Sequence, residues 1–119
     1  MVFSCHSQNN LEQHIEKIRS EGYSDYSIKP EFSREIYTSI IYLEPFTGRN
    51  LRAFGYDMFS EPIRRKAMEL ARDYNMVALS GKVILVQETD KDVQAGVLMY
   101  VPVYIKRMPI NNVAGRQKA

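Results

Sequence analysis

The stretch Ser60-Glu61-Pro62-Ile63-Arg64-Arg65-Lys66-Ala67, running on to Tyr74, constrains the fold of this chain more than any other, because several independent signals specify it as a helix. Ser60 is a good capping residue, and Glu61 sets a negative charge at the positive end of the helix dipole. Pro62 fits the first turn, where its missing N–H has no intrahelical partner to lose. Ile63, Ala67, Leu70, Ala71 and Tyr74 recur at helical spacing as an apolar stripe, with Arg65, Lys66, Glu69 and Arg72 on the opposite side. Glu61 and Arg65 form a well-oriented i,i+4 pair. An amphipathic helix needs a surface to cover, so the flanking sequence has to supply one.

That surface reads as strands. Glu35–Leu43 is rich in β-branched and aromatic residues, stops before Pro45, and predicts a central strand. Tyr26–Lys29 alternates before Pro30 and predicts a short one. Three further strand-like runs, Met76–Leu79, Lys82–Gln87 and Gly96–Tyr104, follow the helix, with a bend at Ser80-Gly81 and a hairpin loop at 88–92. Near the start, Asn10 can cap a helix with Gln13 three residues on; Leu11, Ile15 and Ile18 form its stripe, and Gly22 is placed to end it in a left-handed turn. Thr47-Gly48-Arg49-Asn50 is turn chemistry, and Leu51–Phe54 has room for a helical turn or two. The element order predicts an α+β fold, a central antiparallel sheet of about five strands with helices packed on one face and an N-terminal helix. Residues 107–119 show no periodicity and are expected to fray.

With 119 residues, 45% of them hydrophobic and 25% charged, the chain is sized for one domain spanning residues 1–119, with its core at about 9–106. Sixteen basic against fourteen acidic residues leave a net charge of +2, too small and too dispersed for a nucleic-acid footprint. Cys5 is the sole cysteine, so neither a disulfide framework nor a multi-thiolate metal site can form within the chain. No apolar run reaches the length of a membrane span, and the first residues lack the pattern of a secretion signal, so the chain reads as soluble as written.

Catalytic chemistry is poorly supplied. The histidines are His6 and His14, near the N-terminus, and His14 sits at the margin of the first helix's stripe, where a half-buried packing role is expected. Asp90 and Asp92 lack the third ligand, glycine and distal glutamate of a calcium loop and read as a solvated hairpin tip. No phosphate loop or dinucleotide fingerprint is present; no cofactor, metal site or catalytic residue is expected. The unusual feature is the aromatic supply: Tyr42, Tyr56, Tyr100 and Tyr104, with Phe54, Met58 and Phe59, can line a cavity with a polar rim or fill a tyrosine-rich core without a ligand. Glu44, Asp57, Gln87 and Glu88 lie at element ends, as caps, turn formers or polar groups of that cavity.

Read in order, Tyr42-Leu43-Glu44-Pro45, Asn50, Phe54-Gly55-Tyr56-Asp57-Met58, Glu61-Pro62-Ile63-Arg64-Arg65-Lys66-Ala67, Leu79-Ser80, Leu85-Val86-Gln87-Glu88 and Pro102-Val103-Tyr104 resemble the motif series of the CHASE domain, over about residues 9–106. The resemblance implies a PAS-like fold with a small-molecule pocket between sheet and helices. It further implies an extracytoplasmic, periplasmic sensor piece of a membrane receptor with a histidine kinase or diguanylate cyclase (GGDEF-type) output, itself non-enzymatic, joined to the membrane only through flanking segments and dimerising through a stalk. Plant members read an adenine-type hormone with a carboxylate early on the long helix; a gapless alignment puts Arg64 at that position, which implies a different, anionic ligand if the guanidinium faces it, or a solvent-facing arginine if not. The small hydroxyl of the plant pocket corresponds to Ser80, and a pocket threonine on the last strand to Tyr100. The ligand-binding set expected from residues and resemblance together is Tyr42, Tyr56, Asp57, Arg64, Ser80, Gln87 and Tyr100. The rival expectation is an interaction or dimerisation module with a filled core.

Overall fold

A computed structural model describes residues 1–87 and 93–119. The chain forms two compact units, one built from Met1–Glu61 with Leu85–Val93 and the other from Pro62–Ile84 with Gln94–Ala119. The loop expected at 88–92, with Glu88, Asp90 and Asp92, lies outside the described residues.

The first unit is organised around β2 (Ile36–Tyr42), whose residues 37–40 are buried on both faces of the strand. Successive side chains alternate across a strand, so Tyr37, Ser39 and Ile41 point one way and Thr38 and Ile40 the other. The first set meets α1 (Leu11–Ser20) and the segment after it: Ile18, Tyr26, Ile28 and Tyr37 form a buried cluster with Leu11, Ile15, Ile41 and Phe54 packed against it. One edge of β2 pairs antiparallel with β1 (Val2–Ser7), in a register that sets His6 opposite Tyr37 and Cys5 opposite Thr38. Along the other edge, Gly55 N donates to Ile40 O (2.9 Å) and Ile40 N to Tyr56 O (3.1 Å). The same 55–57 segment turns its remaining backbone groups outward, with Lys29 N donating to Gly55 O (3.0 Å) and Asp57 N to Lys29 O (2.7 Å). Residues 55–57 therefore form a backbone bridge between β2 and the 27–29 segment.

Gly55 makes that bridge possible. Its φ is +82°, and a Cβ there would lie 2.1 Å from Ser27 O, inside any permissible contact.

The second unit is built on α2 (Pro62–Tyr74), which packs against β3 (Ala78–Leu79), β6 (Met99–Tyr100) and α3 (Val113–Lys118). β3 and β6 pair antiparallel, as do β4 (Val83–Ile84) and β5 (Ala95–Gly96). Ser80 extends the β3–β6 pairing with one backbone bond, Ser80 N to Leu98 O (2.8 Å), and one side-chain bond, Leu98 N to Ser80 Oγ (2.8 Å). Arg116 joins α3 to the end of α2 by donating through Nε to Asp73 O, and braces the segment before α3 by donating through Nη1 to Ile110 O, both at 2.7 Å.

Several expectations need correcting. The fold is α+β, but its described strands form three separate two-stranded ladders and no five-stranded sheet. Tyr26–Lys29 is reduced to a single Lys29–Tyr56 bridge, which Pro30 cannot extend, and Pro102 follows the short β6, since proline has no N–H to donate. β1 has no counterpart among the expected elements; Val2–Ser7 is exposed or half-buried, shows no regular alternation, and owes its strand state to pairing with β2. Asn10 precedes α1 without a side-chain capping bond. On α2 the buried face is Arg64, Ala67, Met68 and Ala71, whereas Ile63, Leu70 and Tyr74 are exposed. The rotation follows from size: alanines at 67 and 71 let the helix approach the β3–β6 pair more closely than Leu70 and Tyr74 would allow. The segment expected to fray holds α3, capped by Asn112 Oδ1 accepting from Gly115 N (2.8 Å).

Gly55→Ala is expected to destabilise the protein by about 3 kcal/mol in urea unfolding, through backbone clash and positive φ together. Gly22→Ala, also at positive φ (+110°) but with no atom within 4 Å of its Cβ, is expected to cost only about 1 kcal/mol, near the lower end of the range for such strain. Arg116→Ala removes the side-chain bonds from α3 to Asp73 O and Ile110 O and should raise amide exchange in 113–118 about tenfold relative to α1.

Candidate functional site

The most organised side-chain site of the first unit surrounds Asp57, which has no solvent exposure. A buried carboxylate is tolerated only where both oxygens are engaged. Oδ1 accepts from Thr38 Oγ1 (2.6 Å) and from Phe59 N (3.0 Å), the latter capping the 3₁₀ turn Met58–Ser60. Oδ2 accepts from Arg34 Nε (2.7 Å), and Arg34 Nη2 lies 2.7 Å from the same oxygen as an ion pair. Arg34 Nη1 donates to Pro30 O (3.0 Å) and Phe32 O (2.6 Å), and its Cζ lies 4.3 Å from the ring centroids of both Phe32 and Tyr37. The cation is thus held by a carboxylate, two carbonyls and two π-faces.

Beside it is a cleft of about 390 Å³, lined chiefly by Leu11, Ile15, Ile28, Pro30, Phe32 and Tyr37, with Ser27, Glu31 and Ser33 supplying its polar atoms. The volume lies toward the small end of the range of ligand sites. On another side of Tyr26, Tyr23, Phe46 and Phe54 form an aromatic cluster with centroid separations of 5.1–5.8 Å.

Between α1 and the β1–β2 ladder runs a buried polar chain. His14 Nε2 lies 2.9 Å from the Tyr26 hydroxyl, which in turn shares a short hydrogen bond with Ser39 Oγ. His6 stacks on His14 with ring centroids 3.9 Å apart. Burial, followed by the nearby His6 and Lys17, lowers His14 to about 4, and burial lowers His6. Burial also raises the Tyr26 phenol.

The seven residues singled out as ligand-binding divide between the two units. In the first unit, Asp57 is occupied as above. Tyr42 is 54% exposed, and its hydroxyl donates to Glu44 Oε1 (3.4 Å). Tyr56 is half-buried in the backbone bridge, and Gln87 is half-buried in a turn. The second unit holds Arg64, Ser80 and Tyr100, all buried. Arg64 is not solvent-facing: it is 4% exposed, and Nη2 donates to Ile84 O at 2.6 Å. Tyr100 is opposite Ala78 in the β3–β6 pair, and Ser80 follows that pair by one residue, its hydroxyl donating to Gly81 O (2.7 Å).

Arg34 and the lining of the cleft escaped the sequence reading. The available signal was an arginine two residues after Phe32 and three before Tyr37, at the entry to a strand; its carboxylate, 23 residues away, left none. Among the described residues no group of three or more His, Cys, Asp or Glu could hold a metal ion.

These features define an α+β module with an engaged ionic node, a shallow apolar cleft and buried polar groups on its helices. The family model of the CHASE domain matches residues 6–119, so the chain belongs to the CHASE domain family. CHASE domains are sensory modules of signalling receptors, extracellular parts of membrane receptors, and are not themselves catalytic. Among curated proteins none matches the chain. Among the described residues, no helix is long and apolar enough to cross a membrane.

Asp57→Ala strands Arg34 beside apolar surroundings and is expected to cost about 3–5 kcal/mol of unfolding free energy. Thr38→Val removes one donor to the same carboxylate and should cost about 1–2 kcal/mol, read from the same denaturation curves.

Proposed function

We propose that this chain is the small-molecule-sensing part of a membrane-bound receptor, facing the periplasm or cell exterior, with a histidine kinase or diguanylate cyclase as its output. The observation that carries the reading is membership of the CHASE family over residues 6–119. A PAS-like pocket, with Ser80, Tyr100 and Arg64 contributing hydroxyls and a guanidinium, is the proposed site. These three are buried within one unit, near or on α2. A carboxylate or phosphate on the ligand would compete with the Ile84 carbonyl for Arg64, and an ionised acceptor forms the stronger bond. Signalling then requires that the ligand prefer one of two receptor states, since equal affinity for both shifts neither.

The test is a metabolite panel rich in carboxylates and phosphates, scored by thermal shift and confirmed by calorimetry. A true ligand at 100 times its Kd should add about 2.7 kcal/mol to stability. Arg64→Lys should weaken an anionic ligand at least tenfold, and Tyr100→Phe should weaken one that bonds the phenol. No stabilisation across the panel, together with no small molecule retained in native mass spectrometry, would overturn the sensing assignment. Concentration-dependent dimerisation in that case would favour an interaction module.

A further inference from the structure

The His6–His14 stack lies between the two structural elements at the N-terminal end of the first unit, and its surroundings accept neutral rings far better than charged ones. His6 reaches it from β1 and His14 from α1, with ring centroids 3.9 Å apart and planes inclined by 28°. His6 Nε2 is buried and has no hydrogen-bond partner among the described residues, so a proton added there becomes a charged N–H without an acceptor. His14 is 9% exposed, and its Nε2 meets the Tyr26 hydroxyl, which continues to Ser39 on β2. Imidazole, phenol and hydroxyl can each donate and accept, so a neutral tautomer completes this chain, whereas imidazolium can only donate to it. The titratable groups acting on His14 are His6 from β1, Lys17 on the next turn of α1 and Tyr26 from the connecting segment, and the charged partners among them are cationic.

We propose that this pair makes the packing of α1 on the β1–β2 ladder proton-sensitive, uptake of a proton by either ring releasing the helix from the strands. Two cations cannot share a stack at this spacing away from solvent, and one cation already lacks an acceptor on the His6 side. The direction of the pH dependence follows from the lowered values. Unfolded or released histidine titrates near 6.5, while packed His14 titrates at about 4. The packed state therefore binds fewer protons, its stabilisation is complete above pH 6.5, and it declines as the pH falls toward 4. This inference stands on the first unit alone and does not depend on the existence of a small-molecule ligand.

Amide hydrogen exchange on the 119-residue chain at pH 7 and pH 4.5, corrected for intrinsic rates, tests it. Protection of α1 in the wild type is expected to fall on the order of 50–100-fold between the two pH values, the ratio that one histidine moving between these two titration points produces. The double variant His6→Phe/His14→Gln, which retains a ring on β1 and a hydrogen-bonding group on α1, should change less than threefold. Unchanged α1 protection in the wild type, or the same loss in the double variant, overturns the proposal. Proton NMR titration of the two wild-type imidazoles provides a readout that needs no variant: at least one midpoint well below 6 is expected, and both at or above 6.5 would overturn it equally.

Discussion

The buried Arg34–Asp57 pair is the interaction on which the first unit depends. Isolated in a protein interior, either charge would cost several kcal/mol, so each has to be met on every side. Meeting them ties together parts of the chain with little else in common: the 30–34 segment through two carbonyls, β2 through Thr38, and the 3₁₀ turn through Phe59 N. The aromatic faces of Phe32 and Tyr37 close the cation's remaining side, and Tyr37 also belongs to the hydrophobic cluster under α1. Charge satisfaction and apolar burial therefore share a residue, and neither can be rearranged independently of the other.

The backbone bridge of residues 55–57 serves the same end by different means. Asp57 is brought under Arg34 because the chain from Gly55 onward pairs with β2 on one side and with 27–29 on the other. That pairing in turn needs a residue without a Cβ at position 55, where Ser27 O approaches. A positive φ and a close backbone contact thus position a carboxylate two residues away. The Gly55-Tyr56-Asp57 segment has in this chain a structural meaning that rests on sterics and charge.

Sensor modules work by offering two packings of similar free energy, and the two units differ in where such freedom lies. In the first, the ionic node engages both carboxylate oxygens and the ladder β1–β2 is long, while the contact between α1 and β1 passes through titratable rings. In the second, the ladders are two residues each, and buried polar groups, Arg64 with Ile84 O and Ser80 with Leu98, join helix and strands. Short ladders expose little backbone to cooperative pairing, so side-chain bonds carry more of the register.

The helices at 11–20 and 62–74 and the strand at 36–42 were legible in the sequence because their signals are local: stripe spacing, Pro62 in a first turn, a β-branched run ending before a proline. So was family membership, which rests on short motifs kept in order. Which face of the long helix is buried was not legible, since Ala67 and Ala71 win over Leu70 and Tyr74 only when the strands they approach are known. Nor was β1, whose own residues carry no alternation, nor the role of Asp57, whose partner stands 23 residues away. The sequence by itself determined the elements and the kind of protein, because hydrophobic periodicity and turn chemistry act over a few residues. Tertiary structure alone decided which charges meet, which histidines stack and which faces close, because burial and electrostatic pairing depend on distances in space that separation along the chain does not encode.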